Sequence, residues 1–160
     1  MQTRKEMSLT TSESDPVGPT PKIAVGLYLH GAELDPIAIS DATGVEATIQ
    51  HCRGHRYTLP GGRNAVRKSG LWAIESATES NDVNEHVKEL GARAELLRQR
   101  IVDGSISIET LPGVENAYVD IFYVSIDYPP DRKELRFDLS PLSARVLSDL
   151  GVSIHVTVGY

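Results

Sequence analysis

Five cations stand in a stretch that holds no acid. Between Glu46 and Glu75 lie Arg53, Arg56, Arg63, Arg67 and Lys68, together with His51 and His55. Guanidinium groups offer planar, bidentate hydrogen bonding to carboxylate or phosphate. Gly61 and Gly62, at the centre of the stretch, would let backbone N–H groups approach an anion. In a chain of net charge −6 this is a local patch of reversed sign. It reads as an anion site or a docking surface for an acidic partner. Its structural alternative is a solvated hairpin tip pairing with acids of nearby helices such as Glu79 and Glu85. It is not a Walker loop, because the G-x-x-x-x-G-K-[ST] spacing is missing.

The run "HCRGH" (51–55) offers imidazole and thiol ligands in His51, Cys52 and His55. A structural zinc site wants four ligands, and on a strand His51 and Cys52 point to opposite faces. No second Cys/His cluster completes a shell, so neither a metal nor a cofactor is expected. A second candidate surface comes from strand positions. If the first and last strands are neighbours, Tyr28, His30, Tyr123 and His155 share an uncovered sheet face with Thr157. Such rings supply contact area and their tips hydrogen-bond, which suits a ligand or a protein; otherwise it is simply a polar solvent face. Catalysis needs a nucleophile, base and orienter, or paired acids in one cleft. Asp35 is better explained as a helix cap and Glu75 as an outward strand residue. The expectation is a binding protein, not an enzyme.

Composition narrows the classes further. A chain of 160 residues is the size of one domain and can bury a proper core. Its acidity argues against general nucleic-acid binding, which needs a basic surface. One cysteine excludes an intramolecular disulfide, and no apolar run approaches the roughly 20 residues that span a bilayer. The first 21 residues, rich in Ser, Thr and Pro, read as a disordered tail without a signal segment, followed by one domain over 22–160. Cytoplasmic residence follows as the expectation.

The elements that must position these residues alternate in type. "KIAVGLYLH" (22–30) is a strand with Ile23, Val25, Leu27 and Leu29 on one face. Asp35, Pro36 and Gly44 cap, open and close a short helix. Strands follow at 46–52 and at "SGLWAIES" (69–76), where Trp72 and Ile74 project together into the core. Trp72 is expected to send its indole N–H to a carbonyl or the rim. Val83, Val87, Leu90, Ala94, Leu97 and Ile101 predict one amphipathic helix over 82–103. Further strands are expected at 105–111, paired through Pro112-Gly113 with 117–128, and at 134–139. A helix over 140–151 and a strand over 152–160 close the chain. Residues 33–50 and 138–156 echo one another: a cap, a proline, a helix, Gly-Val, then a strand. The pattern predicts an α+β fold, a ferredoxin-like sandwich of mostly antiparallel sheet with helices on one face. The echo fits either a duplicated βαβ-type unit or the recurrence of a common helix frame.

The residues Leu34-Asp35-Pro36, Gly44, Gly70, Trp72, Glu75 and Ser76, within "LYLHGAELDPIAISDATGVEAT" and "RKSGLWAIES", are where the chain resembles the bacterial domain-of-unknown-function family 4279. The resemblance runs from about Lys22 to Tyr160, with Ser69 where a threonine is usual and a divergent "CRGHRYTLPGGR" loop. It implies a compact bacterial α+β domain with no established activity, some relatives of which neighbour toxin–immunity systems. The expected function is therefore a non-catalytic protein-binding module, immunity- or antitoxin-like, whose partner would be a basic toxin. A small-anion or nucleotide-phosphate sensor using residues 53–68 is the alternative, and an enzyme using the sheet-face histidines the third.

Overall fold

The computed structural model describes residues 22–124 and 136–159. Alternation of apolar and polar side chains makes β1 (Lys22–Gly31), which sends Val25, Leu27 and Leu29 into the core. In α1 (Pro36–Thr43) the Asp35 carboxylate accepts the Ile37 N–H at 3.0 Å, and Gly44 ends the helix at φ 70, a left-handed conformation. Three short strands follow, β2 (Ile49–His51), β3 (Arg56–Thr58) and β4 (Asn64–Val66), and then β5 (Gly70–Glu75). The second half contains α2 (Val83–Arg93), α3 (Glu95–Val102), β6 (Asn116–Val124), α4 (Pro141–Asp149) and β7 (Ser153–Gly159).

The main sheet has the order β2-β5-β1-β6-β7. Its neighbours run antiparallel except β6 and β7, which are parallel. The fold is α+β. Side chains of α1, α2, α3 and α4 join those of β1, β5 and β6 in a single apolar cluster on one face of this sheet. The two sequence echoes differ in space. β5 lies between β1 and β2, whereas β6 and β7 are direct neighbours across the α4 crossover.

Trp72 is fully buried, and its indole N–H donates to Ser40 Oγ on α1 at 3.0 Å, a buried hydroxyl in place of the expected carbonyl or rim. The helix over 82–103 is divided at Ala94 (φ −93, ψ 11), yet the bonds from Ala94 N–H to Leu90 O and from Arg98 N–H to Ala94 O, both 2.9 Å, carry the ladder across. Close packing accompanies this bend: Val146 of α4 lies against Gly91, where a Cβ would come within 2.8 Å of its Cγ1. Arg98 then clamps α3 to α4 through Asp149 at 2.7 Å.

Two strand expectations fail. Residues 105–111 form no strand, because both edges of β6 are taken by β1 and β7. The apolar alternation there serves a 3-10 turn over Ile108–Thr110 that buries Ile108 and Leu111. The strand over 134–139 is likewise not formed in its described part, 136–139. The tail at 1–21 and the end of the 117–128 strand, 125–128, lie outside the described residues.

Candidate functional site

Strand register decides which side chains reach the open face of the sheet. Tyr28 pairs with Tyr118, Gly26 faces Asp120 on one side and Glu75 on the other, and Asp120 pairs with His155. Paired positions point to the same side. Tyr118 therefore stands at the centre of a ring platform. Its centroid lies 4.5 Å from His155, 5.6 Å from Tyr28 and 5.7 Å from His30, all near-parallel. Tyr118 Oη and His30 Nε2 are 3.2 Å apart and share a hydrogen bond.

Gly26 makes the platform flat. A Cβ there would fall 2.8 Å from Tyr28 Cε2 and 2.9 Å from its hydroxyl, so the Tyr28 ring lies down over the glycine. From that position its hydroxyl donates to Glu75 Oε1. On the other side Asp120 accepts the Thr157 hydroxyl at 2.9 Å. Tyr28, Glu75, Ser76, Tyr118, Asp120 and Phe122 line a cleft of ≈ 1020 Å³. Burial first, then the bond and charge of Glu75, push the Tyr28 phenol far above its ordinary value. Burial and then Asp120 raise Tyr118 as well. Gly26→Ala is expected to displace this flexible ring at a cost of about 1 kcal/mol or less. It should also release the phenol from Glu75, so that an ultraviolet alkaline titration shows one tyrosine ionising earlier than in the wild type.

Burial holds His30 below its ordinary value of 6.5. His51 is lowered too, by burial first and then by the charges of Arg67, His55 and His30. The sign follows from linkage: the unfolded chain binds these protons more readily than the folded one. This stability is therefore complete above about pH 6.5 and declines as the pH falls below it. The thermal midpoint is expected to drop from about pH 7 to about pH 5.5, and His30→Gln to flatten that slope in melts followed by circular dichroism.

Tyr123, expected on this face, is on the other. It pairs with Ile23 and has the parity of Val119 and Ile121, which are buried among the helices' side chains. Tyr118 takes its place, and its alternation with Asp120 and Phe122 in "YVDIF" was the available signal. Tyr28, His30 and His155 do reach one face, but the first and last strands are not the neighbours expected: β6 lies between β1 and β7, and its Tyr118 links the three rings.

A hydroxyl–imidazole pair that the sequence concealed borders the same cleft. Ser76 Oγ lies 2.8 Å from Nδ1 of the fully buried His86, whose Nε2 is 2.7 Å from the Ser80 carbonyl. A carbonyl only accepts, so Nε2 carries a proton, and in the neutral ring Nδ1 would accept from Ser76. The arrangement mimics a nucleophile, base and orienter. However, Ser76 Oγ already accepts the Val25 N–H at 3.1 Å. The adjacent N–H groups of Ala77 and Thr78, which could have cradled an oxyanion, donate to Glu89 at 3.0 and 2.8 Å. The pair latches the end of β5 to α2.

The basic stretch is a separate two-stranded hairpin, β3 with β4. Its charges have different surroundings. Arg53 reaches Glu33 at 3.2 Å, in place of the expected Glu79 or Glu85. The Arg67 guanidinium lies 3.8 Å above the Tyr57 ring, while Arg56, Arg63 and Lys68 stay exposed. Among the described residues no group of three His, Cys, Asp or Glu side chains is placed to hold a metal ion. No helix among them is long and apolar enough to cross a membrane.

Over residues 21–159 the chain matches the family described as Domain of unknown function (DUF4279). The chain belongs to this family. No curated protein and no solved structure matches it. The positions that carry the DUF4279 resemblance have structural roles here. Asp35, Pro36 and Gly44 frame α1, and a Cβ on Gly70 would collide with the Leu34 carbonyl. Trp72 ties β5 to α1 through Ser40, and Ser76 ties it to α2 through His86. Of this DUF4279 set, Glu75 and Ser76 line the cleft.

Proposed function

We propose that the chain is a non-catalytic protein-binding module that presents the open face of its sheet to a basic partner, as an immunity protein or antitoxin does to a basic toxin. The observation that carries this reading is the platform of Tyr28, Tyr118, His30 and His155 rings beside Glu75 and Asp120. Aromatic rings held flat lose little conformational freedom on binding and dominate interface energetics. Among the described residues neither carboxylate is paired with a lysine or arginine, which leaves both able to meet cations of a partner. The net charge of −6 favours encounter with a basic chain. The exposed free thiol of Cys52 suits a reducing compartment, and we place the interaction in the cytoplasm.

A small-anion sensor would need the hairpin cations to converge. Two of the five are engaged, Arg53 by Glu33 and Arg67 by Tyr57. The test is affinity capture of the tagged protein from its native lysate beside two variants. One reverses the open face (Tyr118→Ala with Asp120→Lys) and one reverses the hairpin (Arg56→Glu with Arg63→Glu). The reading requires a stoichiometric partner that the first variant loses and the second keeps. A partner lost only by the hairpin variant would transfer the function to the basic arm.

A further inference from the structure

The two edges of the main sheet are unlike. β2 is three residues long and leads directly into the charged hairpin. β7 is seven residues, "SIHVTVG", without a charge or a proline in a chain that carries 16 basic and 22 acidic residues. Among the described residues nothing pairs with its outer edge. Its register with β6 puts Ile154 and Val156 on the same side as Val119 and Ile121, yet they are 46% and 50% exposed. Natural sheets blunt their edges with charges, prolines or bulges, because an open edge is a template for another strand. β7 has none of these devices.

We propose that the outer edge of β7 is an interface with a second copy of this chain, the two strands pairing antiparallel about a two-fold axis at Val156. The choice of occupant rests on the strand itself. A strand is self-complementary across a two-fold axis, and the register centred on Val156 pairs every residue from Ser153 to Gly159. That register sets Val156 against Val156 and Ile154 against Val158 on the helix side. His155 meets Thr157 on the open side. Apolar side chains thus meet apolar ones, and an uncharged strand lets two acidic chains approach without a like-charge contact. Joining the sheets would also extend the Tyr118–His155 platform of each copy to that of the other.

The test is mass by light scattering together with site-directed cross-linking, in the full chain with Cys52→Ser as background. Directly opposite residues in an antiparallel pair have Cβ atoms about 4.5–5.5 Å apart, close enough for a disulfide after slight adjustment. The wild type should run at twice the chain mass. Val156→Cys should give a covalent dimer under mild oxidation, and Ile49→Cys on the opposite edge should not. Ile154→Lys with Val156→Lys should be monomeric with an unchanged circular dichroism spectrum, both sites being exposed already. A monomeric wild type overturns the proposal. So does a dimer that survives the lysine pair, or one that Val156→Cys fails to cross-link.

Discussion

Trp72→Ala is expected to lower the free energy of unfolding by about 3–5 kcal/mol, read from a urea titration. Trp72 is among the largest side chains with no exposure, and it faces α1 from the middle of β5. Truncation removes the transfer energy of the indole and leaves a cavity that the surrounding β-strands cannot collapse to fill. It also strips Ser40, itself buried, of the N–H it accepts. A buried hydroxyl left short of a partner adds to the cost. Trp72→Phe keeps most of the volume and removes the hydrogen bond, so it should cost less than half as much. Equal losses from the two variants would mean that the bond to Ser40, and not the packed volume, holds α1 to the sheet.

At the open face, Tyr118→Ala with Asp120→Lys is expected to weaken the partner at least a hundredfold, about 3 kcal/mol, with the melting temperature kept within a few degrees. Tyr118 contacts Tyr28, His30 and His155 at once, so its removal breaks the platform at its centre. Asp120→Lys replaces an attractive charge by a repulsive one where a basic partner would dock. Arg56→Glu with Arg63→Glu, on the hairpin, should change the affinity less than tenfold. Titration calorimetry with the captured partner measures both.

The framework of the fold was legible where local chemistry suffices. Asp35, Pro36 and Gly44 name the ends of α1 by themselves, and Trp72 with Ile74 fix the buried side of β5. The open face was legible only in part, because parity within a strand is local whereas register between strands is not. Tyr123 and Tyr118 are both aromatic positions on β6. Alternation within β6 already sets Tyr118 apart from Tyr123, but only the pairing of Tyr28 with Tyr118 and of Ile23 with Tyr123 shows which of the two parities joins the platform. The Ser76–His86 bond spans ten residues through the turn between β5 and α2, and no periodicity announces it. Residues 105–111 alternate as a strand does, but the sheet had no vacant edge beside β6 to accept them.

The five histidines allow the central claim to be tested in one measurement, since they are divided between the open face, the β2 edge, the hairpin and the interior. His30 and His155 stand on the open face, His51 at the β2 edge, His55 at the foot of the hairpin, and His86 is buried. Carbethoxylation with diethyl pyrocarbonate, read by peptide mass spectrometry, should modify His155 and His30 in the free chain and spare both once the captured partner is bound. His55 should react equally in the two states. Protection of His55, with His155 still modified in the complex, would contradict the account and make the basic hairpin the docking surface.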